Sequence, residues 1–321
     1  MKPWRPGMVM AALLYGIGLM VIGASGAAAG EGRELRVGFQ KYGTLTILKA
    51  KGTLDRRLAA LGVSVRWVEF PAGPQLLEAL NVGSVDIGGT GEAPPVFAQA
   101  ANADLVYFGY DPASPTAEAV VVAKDSPIHS VAELKGKRIV LNKGSNVHYL
   151  LVRALETAGL SLKDVQPVYL PPADGRAAFE RGAVDAWVIW DPFLAAAQQA
   201  LGVRVLIDGS GGVASNYEFY LARRAYAGAN PDIIRAILDD LAQVGPAAQA
   251  DAAGTAQLLA QQTGIDVEAL TVAVKRQNSE TRPVDDAVIA AQQQIADSFF
   301  ALGLIPRAIS VRDAQWRPSA P

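Results

Sequence analysis

The sequence predicts a two-lobed α/β protein with a ligand cleft between the lobes, and three observations carry that expectation. The first is the stretch Gly83-Ser84-Val85-Asp86-Ile87-Gly88-Gly89-Thr90-Gly91-Glu92-Ala93-Pro94-Pro95, which reads as a short buried strand, a glycine-rich turn and a helix start. The second is its echo, Gly182-Ala183-Val184-Asp185-Ala186-Trp187-Val188-Ile189-Trp190-Asp191-Pro192, in which Val184-Asp185 aligns with Val85-Asp86 and Asp191 with Glu92. The third lies upstream of each copy. Residues 35–41 and 138–143 are strands ending in an amide residue and a lysine, each followed by a Gly and then Thr44 or Ser145. Two copies of one β-α-β-α-β plan imply two similar lobes. Loops at the carboxyl ends of parallel strands are where α/β sheets bind ligands, so facing loops make a cleft.

The glycine stretch suits an anion. Gly88, Gly89 and Gly91 remove side chains where something must approach the backbone. Pro94 and Pro95 fit the first turn of a helix, and a helix start offers free N–H groups and a positive dipole end. No Gly-Lys-Ser/Thr follows, so this is not a P-loop, and the spacing does not fit a dinucleotide fingerprint. Alone, the stretch reads equally well as a surface turn; its echo favours a site.

Composition narrows the class. Half of the 321 residues are apolar, ample for a core, and the formal net charge is −2. No basic run interleaved with aromatics is present, so nucleic acid is not an expected partner. The chain has no cysteine, which excludes a lipid-modified N-terminal cysteine, disulfides and thiolate metal sites. Residues 1–29 read as a signal peptide: Lys2 and Arg5 precede an apolar run over 8–22, and Ala27-Ala28-Ala29 supplies a cleavage site before Gly30. A membrane anchor is the rival reading, but the run is short for a span and lacks a second basic flank. Cleavage after Ala29 leaves 27 basic and 31 acidic residues. The expected product is a soluble exported protein, periplasmic where the source has an outer membrane.

The elements follow in order. Residues 35–39 form a strand. A helix is expected over 45–61, with Leu45, Leu48, Leu54, Leu58 and Leu61 on one face, ending at Gly62. A strand over 65–70, helices over 75–82 and 94–102 and a strand over 105–110 complete the first copy. The β-type run 117–124 is read as the strand crossing into lobe two. There a short helix and turn over 131–137, a helix over 148–158 ending at Gly159, and strands over 166–170 and 203–207 are expected. Residues 218–222 read as the strand returning to lobe one. After Pro231 the chain is mostly helical, with Val288, Ala291, Ile295, Phe299 and Leu302 as a core-facing stripe. The expected lobes are 30–119 with 222–321, and 120–221.

The segments Phe70-Pro71-Ala72-Gly73-Pro74-Gln75, Leu77 through Gly83, Asp86 through Pro95, Lys135-Gly136-Lys137, Lys143-Gly144-Ser145, Val184 through Pro192 and the closing Val311 through Trp316 are similar to those of the periplasmic aliphatic sulfonate-binding proteins of bacterial ABC importers. The resemblance runs over essentially the whole mature chain. It implies a two-lobed periplasmic binding protein fold, type II-like, each lobe a mixed β-sheet flanked by helices and joined by a two-strand hinge. It also implies capture of an alkanesulfonate for sulfur uptake, delivery to an ABC permease and ATPase complex, a monomer, and no cofactor. Other members bind taurine, nitrate or pyrimidine precursors, so another small anion is the alternative ligand. Carried over by position, the anion site draws on Gln40, Gly43, Thr44, Thr90 and Gly91 from lobe one and on Ser145 and Asn146 from lobe two, with Trp190 and Asp191 close by. Glu92 is counted with the site, but a carboxylate beside an anion is unfavourable, so a structural role at the positive end of the helix that starts at Pro94 is preferred to pairing with Lys41, Lys143 or a ligand ammonium. The sequence departs from close members at Ser145-Asn146-Val147-His148, where a serine run is common, and at Glu92, where an Asp often stands.

The chemistry agrees with that set. A sulfonate is a permanent monoanion without a proton to donate, so its site should offer donors such as backbone N–H, hydroxyl and amide groups. Gln40, Thr44, Thr90, Ser145 and Asn146 fit, although helix capping explains Thr44, Ser145 and Asn146 as well. Of Trp187 and Trp190, which point to opposite faces of a strand, Trp190 is expected to wall the cleft against an alkyl chain. Asp191 before Pro192 also reads as a helix cap. Lys41 and Lys143 are solvated charges or long-range attractors of an anion. His129 and His148 are far apart and no metal is expected. A desulfinase and a pyrimidine synthase share this kind of fold, but the desulfinase type relies on a cysteine nucleophile and this chain has none. No nucleophile elbow surrounds the remaining Ser, His and Asp residues, so no catalytic residue is expected. A purely structural role would not explain matching hydroxyl- and glycine-rich loops in two lobes.

Overall fold

The structure, a computed structural model, describes residues 33–317. The expected signal peptide over 1–29 and its cleavage site lie outside the described residues. Among the described residues no helix is long and apolar enough to cross a membrane.

The chain opens with β1 (Arg33–Phe39), α1 (Gly43–Lys51), α2 (Thr53–Ala59), β2 (Val63–Glu69), α3 (Gly73–Asn81), β3 (Ile87–Gly91), α4 (Ala93–Ala100) and β4 (Leu105–Asp111). A second series follows: β5 (Glu118–Val122), β6 (Arg138–Leu141), α5 (Asn146–Thr157), β7 (Gln166–Tyr169), α6 (Pro172–Glu180), β8 (Ala186–Trp190), α7 (Phe193–Leu201) and β9 (Arg204–Asp208). The return is β10 (Glu218–Arg223), α8 (Arg224–Ala229), α9 (Pro231–Ala250), α10 (Ala252–Thr263), α11 (Val267–Arg276), β11 (Arg282–Pro283) and α12 (Asp286–Ala301).

These strands build two mixed sheets of matching design. One has the order β11-β4-β10-β3-β1-β2, the other β7-β6-β8-β5-β9. In each, the first strand of the series lies between the second and third and parallel to both: β1 beside β2 and β3, β6 beside β7 and β8. Next comes one antiparallel strand drawn from the other half of the chain. β5 enters the second sheet opposite β8 and β9, and β10 enters the first opposite β3 and β4. The chain thus passes between sheets over 112–117 and back over 209–217. Boundaries set at 119/120 and 221/222 fall inside β5 and β10, because a β-type run marks a strand and not the connection leading to it.

The Val-Asp echo has a local structural reason. Asp86 Oδ2 accepts from the backbone N–H of Arg36 at 3.0 Å, and Asp185 Oδ2 from that of Arg138 at 2.7 Å. The backbone N–H of each Asp returns a bond to the same partner's carbonyl, 2.8 Å in both cases. Each pair fixes the register of the third strand of its series on the first. In the first sheet the buried Asp86 carboxylate also holds the guanidinium groups of Arg36 and Arg223 at 2.7 and 2.6 Å, tying in β10. Burial raises the Asp86 pKa, but the arginine bonds outweigh it and hold the group below the usual carboxylate range.

Three sequence expectations change, and one strand was not expected. The helix expected over 45–61 is two helices, because Gly52 adopts φ +61° and closes α1 through bonds to Leu48 and Lys49 carbonyls. Leu61 therefore falls beyond α2 and is exposed. Gly88, Gly89 and Gly91 lie within β3, not in a turn. At Gly88 the reason is close approach: a Cβ would meet Leu76 Cδ2 at 2.5 Å. On α12, Val288, Ile295 and Phe299 are buried as expected, but Leu302 lies past the helix and is exposed. The two-residue β11, an edge strand on β4, carried no sequence signal.

Candidate functional site

Four loops that follow parallel strands meet between the two sheets. They leave β1 at Gln40, β3 at Gly91, β6 at Asn142 and β8 at Asp191, and each leads into a helix. They border a cleft of about 840 Å³, part of it open to solvent.

Seven of the ten expected residues line this cleft: Gln40, Gly43, Gly91, Ser145, Asn146, Trp190 and Asp191. Gln40 is buried, and its Nε2 donates to the Gly89 carbonyl at 3.1 Å. Gly43 starts α1 at φ +83°, and a Cβ there would meet Glu218 Oε1 at 2.3 Å. Ser145 Oγ donates to the Asn142 carbonyl at 2.8 Å. Asn146 bridges the two halves: its Oδ1 accepts from the Ala93 N–H at the start of α4 at 3.0 Å, and its Nδ2 donates to Asn216 Oδ1 at 2.7 Å. Trp190 lines the cleft, whereas Trp187 is buried in the core beside Phe179 and Gly175. Asp191 caps α7 through the Ala195 N–H at 2.9 Å and takes Arg276 at 3.3 Å. Burial pushes the Asp191 carboxyl up to about 6, further than Arg276 pulls it down.

Thr44, Thr90 and Glu92 stand elsewhere. Thr44 Oγ1 donates to Asp111 Oδ2 at 2.7 Å. Thr90 is fully buried, and its hydroxyl donates to the Gly91 carbonyl. Glu92 is fully buried too. Its two oxygens accept from the Asn216 and Tyr217 N–H groups, each at 3.0 Å, holding the chain that leads into β10. Those bonds only partly offset burial, which raises its pKa to about 7. All three have their polar atoms committed to neighbouring protein groups.

Other residues on the cleft were not singled out by sequence: Tyr42, Asp111, Asn216, Tyr217, Glu218 and Gln277. Asp111 and Glu218 are register partners on β4 and β10. Asp111 accepts the hydroxyls of Thr44, Tyr220 and Thr281. Glu218 accepts from Gln277 Nε2 at 3.0 Å. The available signal was an acidic residue at the start of the returning strand; charge at the first position of a strand is common enough to pass unread. An apolar wall from Leu259, Leu270 and Val274, on α10 and α11, was also missed.

The two lysines do not hold the cleft's charge. Lys41, on its edge, donates to the Thr263 carbonyl and lies 3.8 Å from Glu69. Lys143 sits over the Tyr169 ring. His148 stacks on Phe97 outside the cleft lining, and burial lowers its pKa to about 4. The site therefore offers helix starts, amides and hydroxyls beside an indole and aliphatic wall. This suits a compact anion with a hydrocarbon tail.

Comparison with known proteins agrees. The NMT1/THI5 like family model matches residues 59–251. The alkanesulfonate-binding protein SsuA from Xanthomonas axonopodis pv. citri, solved bound to MOPS, is 43% identical; the match covers 90% of this chain and all of that one, with a TM-score of 0.85. The periplasmic aliphatic sulphonate binding protein SsuA from Escherichia coli is 44% identical over 89% of this chain and 93% of that one, with a TM-score of 0.80. A taurine-binding periplasmic protein of Escherichia coli (strain K12) is 31% identical over 54% of each chain. The desulfurization enzyme DSZB, at 16% identity and a TM-score of 0.64, shares the fold alone. By sequence and by fold, the chain belongs to the NMT1/THI5-like family and, within it, to the periplasmic aliphatic sulfonate-binding proteins.

Proposed function

We propose that this protein is the soluble substrate-binding component of an ABC importer and captures aliphatic sulfonates for sulfur uptake. The observation that carries the reading is the cleft's composition: the starts of α1 and α5 converge beside Trp190 and the α10–α11 aliphatic wall. Helix starts hold a single negative charge without a neutralising side chain. The apolar wall takes the tail. The similarity to alkanesulfonate-binding proteins over nearly the full chain supports the same reading.

The residues proposed to meet the ligand are those on the cleft: Gln40, Gly43, Gly91, Ser145, Asn146, Trp190 and Asp191. Thr44, Thr90 and Glu92 act behind it. The protein works as a monomer that is exported through its signal peptide, with lobes joined through β5 and β10 closing on the ligand. A permease and ATPase complex in the inner membrane receives the ligand.

Calorimetry with methane-, butane- and octanesulfonate, taurine, nitrate and sulfate tests the reading. Alkanesulfonates should bind, with affinity rising from methane to butane as the tail reaches Trp190. Binding of nitrate or sulfate in preference to every sulfonate would overturn it.

A further inference from the structure

The floor of the cleft holds two buried carboxyl groups on paired strands. Asp111 and Glu218 face each other on paired strands, both line the cleft, and both are more than nine-tenths buried, at 1% and 6% exposure. The titratable groups that face them are Tyr220 on β10 and Tyr42 before α1; Glu92 lies behind the backbone of Asn216 and Tyr217, and Glu118 begins β5. None of these is a cation. Arg276, next to Gln277 in the chain, is engaged with Asp191, and Lys41 with Thr263 and Glu69. Two close carboxylates in a dry site share a proton.

The hydrogen bonds show where that proton sits. Asp111 accepts three hydroxyl groups, an arrangement that favours its anion. Glu218 accepts one amide bond, from Gln277 to Oε2. Burial and the Asp111 charge both push the Glu218 carboxyl well above the usual carboxylate range. Its other oxygen, Oε1, lies against Gly43 at the start of α1 and Gly89 on β3, where glycine leaves room for it.

We propose that Glu218 meets the ligand as a neutral carboxylic acid, its Oε1 hydroxyl donating a hydrogen bond to a sulfonate oxygen seated at the start of α1. The proposal rests on the sulfonate reading above. It explains how an anion site tolerates two acids in its floor: one is masked by hydroxyl donors and the other is itself a donor. Ionisation of Glu218 would place a charge against the ligand, so binding is linked to one proton.

Calorimetry of butanesulfonate between about pH 6 and about pH 10 tests this, with each pH run in two buffers of different ionisation heat. Affinity of the wild type should fall by about tenfold per pH unit once the shared proton is lost, with uptake of about one proton per ligand in that range. Glu218→Ala should weaken binding about thirtyfold at the acid end, the loss of one hydrogen bond to a charged group. Glu218→Gln should regain most of that loss, because its amide can accept from Gln277 and donate from the Oε1 position. It should also erase the pH dependence. Wild-type affinity that is flat over the whole range, or binding without proton uptake, overturns the proposal. So does a Glu218→Gln protein no better than Glu218→Ala. A wild-type preference for taurine that Glu218→Gln abolishes would assign the carboxylate to a ligand ammonium and would also overturn it. No heat with any sulfonate at any pH would instead remove the sulfonate reading itself.

Discussion

Gly91 shows how one residue's lack of a side chain shapes the site. It ends β3 on the cleft, and a Cβ built there would meet the Asn146 side chain at 2.2 Å. Asn146 comes from the other sheet and reaches the Ala93 N–H only because position 91 is bare. Gly91 has no positive φ, so a larger residue is allowed by the backbone. Gly91→Val should therefore fold yet weaken butanesulfonate binding by at least about 100-fold, through loss of close approach between the two halves. Near-wild-type affinity by calorimetry, in a protein with an unchanged melting temperature, would remove Gly91 from the site. Glu92 carries the opposite lesson. It stands beside the glycines, where a carboxylate facing an anion would be unfavourable, and its carboxylate is spent on the Asn216 and Tyr217 backbone.

At the scale of elements, the repeated Val-Asp pair sets the register of both sheets, but the two copies differ in environment. Asp86 is 2% exposed and holds two arginines from β1 and β10, whereas Asp185 is exposed and holds one backbone N–H. Removing Asp86 leaves two half-buried guanidinium groups without their carboxylate and loosens β10 on the first sheet. Asp86→Ala should cost about 3 kcal/mol, and Asp185→Ala about 1 kcal/mol. Urea unfolding monitored by tryptophan fluorescence separates them; equal costs would show that the arginine cluster adds nothing to the clamp. Helix ends also do more than terminate helices. α1 and α5 both begin on the cleft, so loops that close the fold also supply its donors.

At the scale of the whole molecule, the buried acids make stability depend on pH in an unusual direction. Glu92 is raised to about 7 and Asp191 to about 6, and Asp111, Glu118 and Glu218 are raised as well, all chiefly by burial. Between the ordinary carboxylate range and pH 7 the folded chain binds more protons than the unfolded chain. Stability contributed by these groups is therefore present at low pH and lost as pH rises through that window. His148, lowered to about 4, acts in reverse between pH 4 and its ordinary value near 6.5, but it is one group against five. The melting temperature of the ligand-free protein should fall from pH 5 to pH 7.5 by on the order of 5 °C. A steady rise over the same range would mean that these carboxylates ionise without penalty.

Much of this molecule was legible in the chain itself. Strand and helix periodicity and the doubled β-α-β-α-β plan determined a two-sheet α/β fold and the two crossing strands. They did so because each rests on local patterning that repeats. The cleft-lining positions of Gly43, Gly91, Ser145 and Asn146 follow from the same patterning: each stands where a strand gives way to a helix, at a sheet's carboxyl edge. Tertiary structure alone decided which side chains face the ligand space. Thr44 looked like a donor until Asp111, 67 residues away, took its hydroxyl. Glu218 looked like the first residue of a strand until β10 inserted beside β4 and set it against Asp111. A hydrogen bond between distant segments leaves no periodicity in either, so the partner of a buried polar group is known only once the sheets have been assembled.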